Sequence, residues 1–125
     1  STEDFGNMFG MTDADKVYQH KVGFYCPRFI CTNGGEEICL RTAKVSKNYA
    51  VPRLETVSTI GAGDNFNAGV LYGLAKAGIT CETLQQLTAA DWDGIISKGL
   101  DFSAHACTLI ENYVDKAWAQ DYIKE

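Results

Sequence analysis

The residue types that could support chemistry are concentrated in one short stretch, from Ser58 to Gly69. Gly61 and Gly63 have no side-chain β-carbon, so the backbone can adopt dihedrals that other residues avoid and successive N–H groups can converge on one point. The helix predicted directly after them adds its unpaired N–H groups and the positive end of its dipole. This combination favours a bound phosphate.

Asp64 adds a carboxylate to the first turn of the same predicted helix. A carboxylate beside a phosphate site is electrostatically unfavourable unless it has a task, such as accepting a proton from an attacking hydroxyl. The simpler interpretation is that Asp64 only stabilises the helix N-terminus, by about 0.3 to 1 kcal/mol. Two common glycine motifs are excluded, because Phe66 stands where a dinucleotide-binding fingerprint has its third glycine and the sequence contains no Gly-Lys-Ser/Thr.

This stretch resembles the C-terminal signature of the ribokinase-like (PfkB) carbohydrate kinases, Asp-Thr-x-Gly-Ala-Gly-Asp followed by a helix of small residues. The matching residues are Thr59, Gly61, Ala62, Gly63, Asp64, Phe66, Ala68 and Gly69. The resemblance implies that Asp64 is the catalytic base and that the amides of Gly61, Ala62 and Gly63 form the anion hole for the transferred phosphoryl group. The first Asp of the pattern, which helps to bind a monovalent cation in members that have it, is Ser58 here. Dependence on potassium is therefore left open.

A second resemblance lies in the run from Arg28 to Thr32, which is mostly apolar and is predicted to be a buried strand ended by the turn Asn33-Gly34-Gly35. The family has a Thr-x-Gly-x-x-Gly turn here that borders the nucleotide. Thr32 and Gly34 match that turn, whereas Glu37 occupies the position of the second glycine. Taken by itself, such a turn is more often an ordinary hairpin turn.

The start of the chain offers one candidate metal ligand. Many family members carry an Asn-x-x-Glu motif that helps to hold magnesium and phosphate, and Glu3 would end such a motif if Asn precedes Ser1 in the natural protein. The alternative interpretation is that Ser1 and Thr2 cap a helix whose first turn contains Glu3 and Asp4.

A late helix rich in small residues walls the adenine pocket in the resembling enzymes. The candidates for this role are Ser103, Ala104, Ala106 and Cys107, of which we select Ala106 and Cys107 as cofactor-binding residues. Core packing is the alternative interpretation for each of them. His105 lies among them and has no partner at metal-ligand spacing, so a structural role is expected for it.

The periodicity of the remaining residues predicts an α/β domain. Helices are expected at residues 2–9, 13–22, 64–77, 88–110 and 115–124, and strands at residues 28–32, 37–42 and 49–51. Thr88 and Asp91 are spaced as a capping pair, and Gly99 is a candidate for an interruption of the helix that they start. Gly69 and Gly73 lie one turn apart and predict close packing of backbone or ligand, with packing against a neighbour as the preferred interpretation.

The fold class expected from the resemblance is the C-terminal part of a ribokinase-like three-layer α/β/α fold, without the N-terminal half and the lid. Residues 1–125 would then be the C-terminal nucleotide-binding and catalytic portion of a sugar kinase, with little turnover alone. The expected function is ATP-dependent phosphorylation of a hydroxyl of a small sugar, with ATP and Mg²⁺. Two alternatives stay open: an adenosine-type nucleoside kinase of the same fold, and a non-catalytic nucleotide-binding module.

Charge and cysteine content limit the remaining partners. The net charge of −5 without a basic run argues against nucleic acid, and no apolar segment approaches the length needed to cross a bilayer. The five cysteines form no Cys-x-x-Cys pair, which argues against a zinc site or a disulfide framework and favours reduced thiols in the cytoplasm. A homodimer of the full-length protein is left open.

Overall fold

The computed structural model describes residues 1–125, which divide into two units, Ser1–Arg53 and Leu54–Glu125. The first unit contains helices and an antiparallel sheet, and the second consists of helices joined by turns. The α/β class predicted from the sequence is confirmed. None of the helices is both long and apolar enough to cross a membrane.

The first unit begins with two helices and continues as a sheet. The helices are α1 (Thr2–Phe9) and α2 (Ala14–Val17), and α2 continues as a π-helical turn over Tyr18–Val22. The strands are β1 (Phe29–Asn33), β2 (Glu37–Arg41) and β3 (Ser46–Ala50), paired antiparallel in the order β1-β2-β3. The third strand begins three residues earlier than predicted, because its first residues are exposed and polar, without the apolar alternation that predicts a strand, and they pair with β2 through the backbone.

One face of the sheet packs against the helices of the same unit. The buried residues of this cluster are Ala14, Val17, Phe29, Cys31 and Cys39. At its edge the buried Arg41 side chain donates to Asp15 on α2, with 3.2 Å between Arg41 Nη2 and Asp15 Oδ2. The hydrogen bond from Arg41 lowers the pKa of the Asp15 carboxyl, so it favours the charged form of Asp15. The resulting ion pair connects α2 to β2.

The second unit contains three helices, α3 (Ala62–Lys76), α4 (Ala89–Cys107) and α5 (Lys116–Lys124), and a short 3₁₀ turn at Leu84–Gln86. The predicted capping pair is confirmed, because Thr88 Oγ1 accepts the Asp91 N–H and the Asp91 carboxylate accepts the Thr88 N–H. Two expectations for α4 were wrong. The helix continues through Gly99, and it ends at Cys107 rather than Ile110.

Glycines allow α3 and α4 to pack backbone against backbone. A β-carbon added at Gly69 would lie 2.7 Å from the Gly99 Cα, and one added at Gly73 would lie 3.2 Å from the Ile95 Cα. A β-carbon at Gly99 would in turn lie 2.7 Å from the Phe66 ring. This confirms the close packing predicted for Gly69 and Gly73, and it gives Gly99 a packing role within the helix, because its missing side chain makes room for Phe66.

Aromatic rings hold α5 against α4 within the second unit. Phe102 meets Trp118 edge to face with ring centres 5.2 Å apart, and it meets Tyr122 in the same way at 5.4 Å. Trp118 also stacks on His105 at 4.5 Å, while the His105 Nε2 lies 2.7 Å from the Asp115 carboxylate. The structure thus gives His105 the structural role expected for it.

Two alanine substitutions test the backbone contact between α3 and α4. Gly69→Ala forces a methyl group into backbone atoms of α4 and should lower the free energy of unfolding by about 1 to 3 kcal/mol. Gly94→Ala is the matched control, because its added methyl meets no atom within 4 Å, and it should raise the free energy of unfolding by about 0.4 to 1 kcal/mol. Urea unfolding followed by circular dichroism measures both. Equal effects would contradict the packing described.

Candidate functional site

Helix α3 begins differently from the other α-helices of the chain. Four helices begin at a residue whose side chain accepts a backbone N–H, and these caps are Ser1, Asp13, Thr88 and Asp115. Helix α3 begins at Gly61, which has no side chain to accept one. The positive end of the α3 dipole and its first N–H groups are therefore left without a side-chain partner.

Glycine occupies the two positions of the turn for different structural reasons. Gly61 has a φ of 79°, in the left-handed region, and an added β-carbon would lie 2.8 Å from the Asn112 carbonyl oxygen. Gly63 has no left-handed backbone, and an added β-carbon there would meet no atom within 4 Å. The fold thus requires glycine at position 61 but not at position 63, where the missing side chain leaves open space.

The amide groups of the turn are only partly engaged within the protein. The Ala62 N–H donates to the Thr59 carbonyl at 3.2 Å, whereas the N–H groups of Gly61, Gly63 and Asp64 make no hydrogen bond inside the chain. The structure therefore differs from the sequence prediction at Ala62, whose amide is taken by the turn. Gly61 and Gly63 keep free donors as predicted, and the Asp64 amide joins them.

The Asp64 carboxylate follows these donors on the first turn of α3. It is exposed to solvent, and none of the hydrogen bonds and ion pairs of the protein involves it. Asp91 at the start of α4, by contrast, bonds back to Thr88 in a capping box. Because Asp64 has no such partner, both of its oxygens are available to a ligand.

The loop before the turn is attached to the end of α4. The N–H groups of Val57 and Ser58 both donate to the Cys107 carbonyl, at 2.8 and 3.3 Å. The Ser58 hydroxyl oxygen accepts the Ile60 N–H at 3.3 Å. Ser58, which stands where the signature has Asp, therefore stabilises the local turn that leads to Gly61.

Asn65 belongs to this site although sequence reasoning did not select it. It is one of two buried polar residues, with 6% of its surface exposed, and its side chain bonds to Gly61 and to the segment between α4 and α5. One signal was present in the sequence. Asn65 lies one turn before Gly69 and two turns before Gly73, on the stripe of α3 predicted to pack closely.

In the first unit, Thr32 lies in β1 and Gly34 lies in the turn that follows, with a φ of 53°. The turn is closed by the Glu36 N–H, which donates to the Asn33 carbonyl at 3.1 Å, and it joins antiparallel strands. The hairpin interpretation of this turn is confirmed. Its role beside a nucleotide stays a prediction.

Glu3 lies in the exposed first turn of α1. Ser1 and Asp4 form a capping box there, which confirms the helix-cap interpretation, and the Thr2 hydroxyl donates to Asn33 at 2.9 Å. The start of α1 is therefore held against the hairpin turn of the same unit. No group of three or more His, Cys, Asp or Glu residues could hold a metal ion. A metal bound by Glu3 would need other ligands, such as phosphate oxygens and water.

Ala106 and Cys107 near the end of α4 are buried, with 2% and 7% of their surface exposed. This burial is what the core-packing interpretation expects, and their role beside a nucleotide stays a prediction. Ser103 and Ala104 are half-buried. This segment was selected because its side chains are small. Side-chain size does not show which face of the helix is buried, and the fold does.

Comparison with known families decides where this chain belongs. The sequence profile of the pfkB family carbohydrate kinases matches residues 2–90, which include the hairpin turn, the glycine turn and the whole of α3. The chain belongs to the pfkB family. The family membership predicted from the glycine signature is confirmed. Comparison with curated proteins gives no significant match.

Solved structures of pfkB-type kinases show the same fold. Aminoimidazole riboside kinase from Salmonella enterica superposes with a TM-score of 0.73 at 21% identity, over 99% of this chain and 40% of that protein. Fructokinase from Vibrio cholerae O395 gives 0.71 at 19% identity, over 97% and 38%. Ribokinase from Thermotoga maritima gives 0.69 at 16% identity, over 99% and 39%. The chain thus has a partial ribokinase-like fold and spans about two fifths of the length of these structures.

Gly61 and Gly63 differ in backbone conformation and in the space around them, so alanine should have opposite effects on stability at the two positions. Gly61→Ala should lower the free energy of unfolding by at least about 1 to 2 kcal/mol, the cost of a left-handed backbone for a residue with a β-carbon. Gly63→Ala should leave it unchanged or raise it by up to about 1 kcal/mol, because alanine fits a helix better. Thermal unfolding of the two variants checks the prediction. A large destabilisation by Gly63→Ala would show that its space is not free.

Proposed function

We propose that residues 1–125 are the C-terminal nucleotide-binding and catalytic portion of an ATP-dependent kinase that phosphorylates a hydroxyl of a small sugar. The observation that carries the proposal is the start of α3, where free amides and an unpartnered carboxylate lie on one exposed turn. Two similar structures support the substrate class. One is described with aminoimidazole riboside and an ATP analogue, and the other with fructose, ADP and calcium.

The free N–H groups of Gly61, Gly63 and Asp64 are the proposed anion hole. Two features indicate that their ligand is an anion: they are donors without acceptors, and they lie at the positive end of a 15-residue helix. The open space beside Gly63 allows a phosphoryl group to approach its backbone. Donors of this kind lower the barrier by stabilising charge that grows in the transition state, by about 2.7 to 4 kcal/mol each.

Asp64 is the proposed general base. As the hydroxyl oxygen of the sugar attacks the γ-phosphorus in line, its proton passes to an Asp64 carboxylate oxygen, and the bond between the γ-phosphorus and the ADP oxygen breaks. Because the carboxylate has no partner within the protein, no internal hydrogen bond has to break before it accepts the proton. Its neighbouring amides are aligned by the same helical turn, so base and anion hole are part of one rigid element.

In the first unit, we propose that Thr32 and Gly34 border the nucleotide and that Glu3 contributes to binding Mg²⁺. The metal, when bound, would neutralise charge on the phosphate oxygens. Glu3 fits this role only as one ligand among several, because no further carboxylate or imidazole forms a metal cluster with it. We also propose a cytoplasmic location, which the five unpaired cysteines support.

A nucleoside is the second candidate substrate. The observation that favours it is the similarity to aminoimidazole riboside kinase, whose substrate carries a base on its ribose. Turnover of free sugars and of nucleosides, measured on the full natural protein, distinguishes the two substrate classes. Turnover of fructose or ribose without turnover of adenosine would favour the sugar kinase.

Asp64→Asn tests the proposed base. In the full natural protein the substitution should lower kcat by about 10²- to 10⁴-fold, the usual contribution of a positioned general base, while KM for ATP stays nearly unchanged. Coupled measurement of ADP formation gives both constants. Glu82→Gln is the control, since it removes the charge of an exposed carboxylate elsewhere in the same unit. Wild-type turnover in Asp64→Asn would overturn the assignment.

Gly63→Ala tests the proposed anion hole without removing a charge. Its methyl group would occupy the open space that the phosphoryl group needs, so kcat should fall at least about tenfold, a barrier increase of about 1.4 kcal/mol. Gly94→Ala is the control, because it adds the same methyl group to an exposed helical glycine of α4, outside the glycine turn. Steady-state kinetics of both variants, at matched folded fractions, decide the outcome. Unchanged kcat in Gly63→Ala would show that no ligand approaches this backbone.

A further inference from the structure

The side chain of Asn65 connects three backbone groups from two distant segments. Its Nδ2 donates to the Gly61 carbonyl and to the Asn112 carbonyl, both at 2.8 Å. Its Oδ1 accepts the Val114 N–H at 3.3 Å. Both amide hydrogens and the amide oxygen are therefore used, and this buried polar side chain is fully satisfied.

One end of this network controls the glycine turn. The Gly61 carbonyl accepts the Asn65 side chain and also the Asn65 backbone N–H, which donates at 2.9 Å. Two donors on one oxygen leave that carbonyl little freedom to rotate. Because the peptide unit is planar, the Ala62 N–H on its opposite side is held as well, in its bond to Thr59. The orientation of the turn that presents the free amides thus depends on the Asn65 side chain.

The other end controls the segment that lies against the turn. Asn112 packs against Gly61 so closely that its carbonyl oxygen would lie 2.8 Å from an added β-carbon. This segment is connected to α3 by the hydrogen bond that Asn65 Nδ2 donates to the Asn112 carbonyl and by the one that Asn65 Oδ1 accepts from the Val114 N–H. Directly after it, Asp115 caps α5 by accepting the Trp118 N–H at 2.9 Å. Without Asn65, the segment would keep its attachment to α5 but lose its attachment to the turn.

We infer that Asn65 is a positioning residue for phosphoryl transfer: it holds the glycine turn and the segment from Asn112 to Val114 in one arrangement, so that the free amides beside Asp64 are oriented before substrate binds. The inference rests on the proposed function. Asn65 itself is buried and does not touch substrate, whereas its neighbour Asp64 is exposed. Adjacent residues on one helical turn therefore have different roles: Asp64 reacts with the substrate, and Asn65 positions the turn.

The chemistry of the side chain explains why asparagine fits this place. An aspartate would direct a carboxylate oxygen at two carbonyl oxygens that now accept hydrogen bonds. An apolar residue would leave the Asn112 carbonyl and the Val114 N–H without these partners, and the Gly61 carbonyl would keep only its bond from the Asn65 backbone N–H. Because a misplacement of about 1 Å can cost about 10²-fold in rate, a small rotation of the Gly61 peptide is sufficient to affect turnover.

The decisive comparison is Asn65→Asp against Asn67→Asp in the full natural protein. Both make the same chemical change two residues apart on α3, but the Asn67 side chain is exposed and makes no hydrogen bond. Asn65→Asp should lower kcat by about 10- to 100-fold with little change in KM for ATP, and Asn67→Asp should match the wild type. Hydrogen exchange measured by mass spectrometry should also become faster in peptides that cover residues 112–114, in Asn65→Asp alone.

Asn65→Ser is the second variant if Asn65→Asp does not fold, since its hydroxyl keeps one donor and one acceptor. Three results would overturn the inference about Asn65 but leave the proposed function intact. They are a normal kcat in a folded Asn65 variant, an effect confined to KM, and unchanged exchange at residues 112–114. A wild-type protein that transfers no phosphoryl group to sugars or nucleosides would overturn the proposed function and the catalytic consequence of Asn65 with it. Faster exchange in Asn65→Asp would then show only a structural clamp.

Discussion

Helix α3 starts at a residue without a side chain, and the geometry of the site depends on that start. Gly61 adopts a left-handed backbone and also lets the Asn112 carbonyl approach closely, and a β-carbon would interfere with both. Since no side chain caps the helix, its first free amides remain donors. The phosphate-binding potential of the turn is therefore a direct consequence of missing atoms, together with the alignment of peptide dipoles along α3.

The position of that start is determined by packing further along the helix. Contacts at Gly69 and Gly73 bring the backbone of α3 onto α4, and the end of α4 in turn holds the loop before the turn through the Cys107 carbonyl. Backbone contacts tolerate less adjustment than contacts between flexible side chains, because no rotamer change can relieve them. The glycine stripe and the glycine turn thus act together: one fixes where the helix lies, and the other fixes what its first turn can bind.

The predictions that proved right concern features whose signal lies within a few residues. The glycine signature indicated the family, the Thr88 and Asp91 spacing indicated a capping box, and the spacing of Gly69 and Gly73 indicated close packing. The predictions that failed concern competition between neighbours. Whether the Ala62 amide is free depends on a turn bond to Thr59, which a signature of residue types does not show.

Burial decided the remaining differences. Ala106 and Cys107 have the small side chains expected of a ligand-facing wall, yet the fold covers them, and small side chains are equally suited to a packed interior. The third strand began earlier than predicted because its polar residues pair through the backbone at an edge of the sheet. In both cases the residue types were compatible with two environments, and long-range packing selected one.

The sequence by itself determined the family, the order of the helices and strands, and the glycine turn with its carboxylate, because these follow from residue types and short spacings. The tertiary structure alone decided which amides stay free and that Asn65 joins the turn to a segment 47 to 49 residues further along the chain. The physical reason is that a hydrogen bond depends on the distance and direction of two groups in space. Local patterns carry no information about either when the groups are so far apart in sequence.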